Sequence, residues 1–314
     1  FLYDKTDVEF GIQNFQGLFG LGTDALFNAA QKNTAYAVFA DAAYDLSDRV
    51  ALTVGVRYSQ ETKDFSNDLL ISILNGGTAP PSFLGGATFA AGDIFSDPPV
   101  FSDRTSFNDV SPRAVVEFKP DDNTLLYASY SQGFKSGGFN SFGLTPAFDS
   151  ENIHAYEIGV KSELADRRIR LNASFFMYDY TNLQIRLPVP TGGVDIRNVA
   201  ASKIKGFEIE GTASPFAGFT VAGSLALLDA EITQGMIPAI ASDTPPFPIG
   251  APLPLITENV SGNRLTRAPE FQAFATAEYE REFGSLTASL SATYRRQSRS
   301  EEHTSELQSL RTIS

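Results

Sequence analysis

The chain has 314 residues and a formal charge of −13 at pH 7. That is enough for one large domain or two small ones, and the wrong sign for a nucleic-acid partner, which needs a basic face. Without a single cysteine it can build neither a disulfide framework nor a thiolate metal site. No run of about 18 apolar residues occurs, which excludes a transmembrane helix but not a strand-built membrane protein.

Taken in chain order, residues 1–35 carry little pattern and are expected to form an extracellular loop, with a short helix from Gly22 to Asn33. From Tyr36 the chain alternates with period two, the signature of a strand with unlike faces. Tyr36, Val38, Ala40, Ala42, Tyr44 and Leu46 share one face, opposite Asp41 and Asp45. Val50, Leu52, Val54, Val56 and Tyr58 do the same opposite Thr53, Arg57 and Ser59. The pattern returns over 113–119, 124–136, 153–163, 168–186, 202–214, 218–230, 270–280 and 286–295, which predicts about ten strands.

Short connections, such as Ser47-Asp48-Arg49 and Glu282-Phe283-Gly284, alternate strictly with long ones near 62–107, 137–151, 187–201 and 231–268. The long ones hold most of the 17 prolines. The fold class is therefore all-β: an antiparallel transmembrane meander with tight periplasmic turns and long extracellular loops. A soluble β-sandwich would mix its loop lengths. The 26 Phe and 11 Tyr, with no Trp, suit such a barrel. Tyr36, Tyr44, Tyr58, Tyr130, Tyr156, Tyr279 and Tyr294 sit where lipid headgroups would meet strand ends.

Enzymatic chemistry is not expected. Glu208 and Glu210 lie on one face of a strand, but paired acids are commonplace inside a barrel. His154 has no Cys or second His nearby in sequence to complete a metal or nucleophile site. The stretch Gly133 to Gly138 lacks the spacing of a phosphate loop. No cofactor is expected. The apolar loop residues Phe65, Phe83, Phe89, Phe95 and Phe101, with Phe247, Ile249, Leu253, Leu255 and Ile256, could cap a bulky ligand or pack loop against loop.

The run Leu125-Leu126-Tyr127-Ala128-Ser129-Tyr130-Ser131-Gln132-Gly133-Phe134-Lys135-Ser136-Gly137-Gly138-Phe139-Asn140 resembles a signature strand of TonB-dependent outer-membrane receptors. Its structural residues would be Tyr127, Tyr130, Gly133, Phe134, Lys135, Gly137, Gly138 and Phe139, with the glycines at the bend and turn where the strand leaves the membrane. Leu52 to Tyr58, Ser111-Pro112-Arg113, Tyr156 to Lys161, Lys205 to Gly211 and Asn263 to Glu270 resemble further pieces of that family in its order, over about 36–298.

The resemblance implies a barrel of about 22 strands with a plugged lumen, of which this chain would be a partial, open sheet lacking the plug and the TonB box. Arg57, Glu157, Lys161, Glu208 and Glu210 would face the lumen. The implied function is active uptake of a large scarce solute across the outer membrane of a Gram-negative bacterium. A ferric siderophore is the default; cobalamin, haem and glycans are alternatives. Its partners would be outer-membrane lipid, the solute and, through the plug, the TonB complex. A passive porin-like channel and a soluble β-rich binding domain are the rival readings. Residues 299–314 resemble the translation of a sequencing adapter and are expected to be an artefact.

Overall fold

The computed structural model describes residues 2–13, 23–73, 77–78, 88–89, 94–140, 146–188, 194–240 and 255–299. They form strands β1 (Leu2–Gln13), β2 (Thr23–Ser47), β3 (Val50–Ile73), β4 (Gly77–Thr78), β5 (Thr88–Phe89), β6 (Ile94–Asp121), β7 (Thr124–Lys135), β8 (Glu151–Leu164), β9 (Ile169–Pro188), β10 (Val194–Phe216), β11 (Phe219–Ile240), β12 (Leu255–Asn259), β13 (Phe271–Phe283) and β14 (Leu286–Gln297). One 12-stranded sheet runs β1-β2-β3-β6-β7-β8-β9-β10-β11-β13-β14, with β12 extending the pairing of β11, and β4 and β5 pair separately. Every neighbour is antiparallel. Nothing among the described residues pairs β1 with β14, so the sheet is open with two free edges, as the sequence predicts.

The tight turns follow from their residues. Ser47 Oγ accepts from the amides of Arg49 and Val50 at 3.3 and 3.1 Å, and Asp121 Oδ1 accepts from Asn123 N at 2.8 Å. Such side-chain caps replace backbone partners in a turn. Gly218 and Gly284 supply the left-handed residues of the turns before β11 and β14 (φ 81° and 66°), a conformation that costs glycine nothing.

Register aligns the apolar positions of successive strands into continuous rows. One row passes through Ala42, Val54, Ala114 and Tyr130. Another joins Ala128, Ile158, Phe175, Phe207, Leu227 and Phe271. Much of this face is left bare: Val54, Ile158 and Phe175 are 46%, 58% and 48% exposed, and Leu290 on the same face of β14 is 74% exposed. A wide apolar face left bare is explained by lipid. Its height fits. Tyr36 to Leu46 spans ~33 Å along β2 at ~3.3 Å per residue, or ~25 Å after a ~40° tilt, the thickness of an outer-membrane apolar band. Tyr130 and Tyr156 pack at one rim with ring centroids 5.1 Å apart, and Tyr3 and Tyr36 at 5.2 Å. Tyr44 and Tyr279 lie towards the turn end.

Three expectations need correction. Residues 1–35 are not a loop with a short helix: Leu2–Gln13 pairs with Leu26–Ala37 as a hairpin. Three of the four long connections carry strand well beyond the expected strand ends. β3 and β6 stay paired up to Ser72↔Ile94, β9 and β10 up to Pro188↔Val194, and β11 reaches Ile240. The sheet accordingly has 12 strands rather than about ten. The cause is common to all three: above the lipid both faces of a strand meet similar surroundings, so period-two alternation stops although the backbone ladder continues. Phe83, Phe247, Ile249, Leu253 and residues 300–314 lie outside the described residues.

Above the apolar belt the chain makes its own small cores. Leu187, Ala200, Ile232, Ile237 and Val260 bury one another among β9, β10, β11 and the segment after β12. Ala29, Phe65 and Phe139 form a second cluster.

Candidate functional site

The face opposite the apolar rows is polar. Arg57, Glu157, Lys161, Glu208 and Glu210 all lie on it, as the register requires: Ser129 pairs with Glu157, Leu125 with Lys161, Ser174 with Glu208 and Asn172 with Glu210. Arg113 and Asp41 form an ion pair at 3.6 Å across the intervening strand β3. Glu163 holds Arg170 at 3.2 Å, and Asn172 Nδ2 donates to Glu210 at 2.9 Å.

Tyr127 of the signature strand lies flat over the neighbouring strand, its hydroxyl donating to Glu157 and Lys161 Nζ 5.6 Å from its ring centre. It can do so because residue 159 is glycine: a Cβ there would stand 2.6 Å from the Tyr127 ring. Gly206 admits the Phe176 ring in the same way two strands further on. Both glycines lie in stretches quoted above for the family resemblance, so these two family-like strands are matched by an aromatic ring laid on a neighbour's glycine. Tyr130, on the lipid face, contacts His154 Nδ1 at 3.0 Å. His154 thus has a phenol for a partner at the headgroup rim. Among the described residues no group of three or more His, Cys, Asp or Glu is arranged to hold a metal.

The end of the signature run corrects the sequence reading. Gly133, Phe134 and Lys135 still pair with Ile153, Asn152 and Glu151, whereas β6 and β7 part above Arg113↔Ser131, next to Pro112, which has no N–H for a ladder. Gly137 and Gly138 do not make a tight turn. Gly138 forms both backbone bonds of a bridge to Phe148, at 3.0 and 2.8 Å. Gly137 lies against the Phe148 carbonyl and the Phe107 ring, which would be 2.5 Å from an added Cβ.

The segments 136–140 and 146–150 strap the polar face, tied at both sides. On one side Lys63 Nζ donates to Gly137 O at 2.7 Å and Phe139 stacks on Phe65 at 5.2 Å. On the other the Asn140 amide pairs both backbone groups of Ile196, at 3.0 and 2.7 Å. Asn198 does the same for Asp149, at 2.7 and 2.9 Å. Side-chain amides of this kind act as substitute ladder rungs. Sequence reasoning missed Asn140, Asn198 and Lys63, which have partners 49 to 74 positions away and no local signal.

Next to the start of the strap lies an open depression of about 410 Å³, lined among others by Arg57, Ser59, Glu61, Ser111, Gln132, Phe134 and Ser136. A second depression, also of about 410 Å³, lies around Lys161, Asn172, Glu208 and Glu210.

A family model described as "TonB dependent receptor-like, beta-barrel" matches residues 2–309. The chain is 28% identical over 134 residues to the "Probable TonB-dependent siderophore receptor PiuA" of Acinetobacter baumannii, covering 40% of this chain and 18% of that protein. It is 30% identical over 125 residues to the metal-pseudopaline receptor CntO of Pseudomonas aeruginosa, covering 40% and 17%. Among solved structures it resembles the ferric yersiniabactin uptake receptor FyuA of Yersinia pestis, with a TM-score of 0.58 at 16% identity over 91% of this chain and 40% of that one. The ferric-catecholate import receptor Fiu of E. coli gives 0.57 at 15% identity, over 95% and 45%. At these identities the structural likeness speaks for the fold. The chain spans under a fifth of the curated relatives it matches.

Proposed function

This chain belongs to the TonB-dependent receptor-like β-barrel family, and on that premise we propose that it is a stretch of an outer-membrane receptor for active uptake of a large scarce solute, with a ferric siderophore first among candidates. The observation that carries the reading is the two-faced open sheet. Its lipid-facing rows have the height of an outer-membrane band, and its other face is lined with charge and strapped above the rim. We read that face as the lumen wall, with Arg57, Glu157, Lys161, Glu208 and Glu210 turned inward. Residues 2–298 are read as barrel, since β1 joins the sheet through β2, and 299–314 as adapter-derived sequence.

Energy would come from the TonB complex acting on a plug, which accounts for a family built as transport receptors rather than enzymes. The passive porin-like reading gives way to family membership, and the soluble sandwich to a single sheet with a bare apolar face.

The test is to extend the reading frame outward from codons 36–298 in the source DNA. The full gene is then expressed in a Gram-negative host lacking its own siderophore receptors, and uptake of radiolabelled ferric chelates is measured. Uptake that disappears when TonB is deleted supports the proposal. Uptake that persists without TonB would make this a passive channel.

A further inference from the structure

We propose that the upper seam between β6 and β7 is a zipper with two settings: open, as it stands here, and closed, with the Asp109 carboxylate handed over from Ser111 and Gln132 to Lys135.

β6 and β7 pair from Phe118↔Leu126 to Arg113↔Ser131 and no further. Yet β6 stays on β3 up to Ser72↔Ile94, and β7 stays on β8 up to Lys135↔Glu151. The direction of the backbone groups shows what the break leaves open. Lys119 N donates to Arg49 O at 2.8 Å, and Glu163 N donates to Asn123 O at 2.8 Å. Alternation along these ladders turns the even-numbered residues of both strands towards the seam. The first missing rung is Pro112 opposite Gln132, and proline has no N–H to give it. Beyond it the N–H and C=O groups of Val110 and Phe134 face the seam, and among the described residues no ladder takes them up.

Three observations make closure the alternative. First, the two arms match in length. The strands meet again where the Phe107 ring covers the face of Gly137. Continuing the register from Arg113↔Ser131 sets Phe107 opposite Gly137 with no residue left over on either arm. Second, the same continuation sets Asp109 opposite Lys135, and in the open setting neither meets an opposite charge among the described residues. Asp109 accepts from Ser111 Oγ and, at 3.4 Å, from Gln132 Nε2. Lys135 is exposed; the acid across from it on β8, Glu151, accepts from Gln184 N at 2.8 Å. Third, the seam begins just outside Tyr130 at the rim, where water can hold free backbone groups that lipid cannot. Both settings are therefore tolerated at this height, and an open one is not tolerated lower in the wall.

The consequence falls on the depression beside Arg57. Ser111, Gln132, Gly133, Phe134 and Ser136, from the two arms of the seam, form one side of it. Closure brings Ser111 against Gly133 and takes Gln132 off Asp109, so the depression keeps its present shape only while the seam is open. The seam also sets where the strap leaves β7.

The test uses cysteine pairs in the full-length receptor, freed of any other cysteine and assayed in outer membranes. Val110→Cys with Phe134→Cys reports closure, because such a rung holds its Cα atoms ~5.5 Å apart, within reach of a disulfide. Val116→Cys with Ala128→Cys, a rung already formed, sets the reference rate. Crosslinking by a membrane-permeant oxidant is read by gel mobility, and heat-modifiability confirms that each variant is folded.

The Val110/Phe134 pair should crosslink completely but about tenfold or more slower than the reference. Lys135→Gln should slow it further, by up to about fivefold, the range of one cross-strand charge pair. Pro112→Val, which supplies the missing donor, should speed it by about two- to tenfold. If the double cysteine variant does not fold, the same order is read from hydrogen exchange at the amides of Val110 and Phe134, slowest in Pro112→Val and fastest in Lys135→Gln.

A Val110/Phe134 pair that stays reduced while the reference pair completes shows a fixed opening and overturns the proposal. A pair that crosslinks at the reference rate overturns it too, by showing that the seam has no open setting. Closure, or exchange, that Lys135→Gln leaves unchanged overturns the handover of Asp109.

Discussion

Replacing Gly159 by alanine should destabilise the barrel through Tyr127, with no charged or polar group deleted. The added Cβ would stand 2.6 Å from the phenol ring, inside any tolerable contact, so the ring must lift. Lifting breaks the hydrogen bond from the Tyr127 hydroxyl to Glu157, and a bond to a charged group contributes about 1.5–3 kcal/mol. Forcing a methyl into a filled site adds about 1–3 kcal/mol. Against this, exchanging glycine for alanine in a strand returns about 0.5–1 kcal/mol of backbone entropy. The net loss is about 1.5–5.5 kcal/mol.

The assay is urea unfolding of the full-length receptor in detergent, read by the mobility shift between folded and heat-denatured barrel. Tyr127→Ala and the double variant complete a thermodynamic cycle. With Tyr127 removed, Gly159→Ala should become neutral or slightly stabilising, leaving a coupling of about 2 kcal/mol or more, which exceeds what independent sites show. Equal costs of Gly159→Ala in the presence and absence of Tyr127 would refute the reasoning.

Further outcomes follow from the two faces and the strap. Ile158→Arg, on the apolar row between the Tyr156 rim and the bilayer midplane, should cost about 1–3 kcal/mol and reduce the folded receptor recovered from outer membranes. Ser129→Arg, on the polar face beside Glu157, should leave recovery unchanged, and equal recovery of both would contradict the face assignment. Asn140→Ala should free the strap from Ile196, seen as faster hydrogen exchange at the amides of Gly138 and Phe148 with little change in global unfolding; unaltered exchange would mean that the amide bridge carries no weight. A fragment limited to residues 36–298, expressed alone, should self-associate through its unpaired edges and show no heat-modifiable monomer band, whereas a stable monomer would argue against an open sheet.

What the sequence determined by itself is the part of the molecule that meets lipid. There one face must be apolar and the other need not be, so Val54, Val56 and Tyr58 against Gly55 and Arg57 announce strand, face and register in one local pattern. The turns were legible for the same local reason, through Ser47, Asp121, Gly218 and Gly284. The Tyr-rich rim was legible too, because headgroup depth repeats at a fixed distance from each turn.

The tertiary structure decided the rest. Above the belt the asymmetry between faces vanishes, so the paired stretch up to Ser72↔Ile94 and the hairpin of Leu2–Gln13 with Leu26–Ala37 read as loop in sequence. Phe65, an unremarkable loop aromatic by position, becomes the floor under Phe139. Asn140, Asn198 and Lys63 acquire roles only when a segment between β7 and β8 crosses to strands 49 to 74 residues away. Arg57 shows the division most plainly. Its alternation with Val56 and Tyr58 set which face it occupies, but only the neighbours brought by folding left Arg113 paired with Asp41 and Arg57 donating to Ser59.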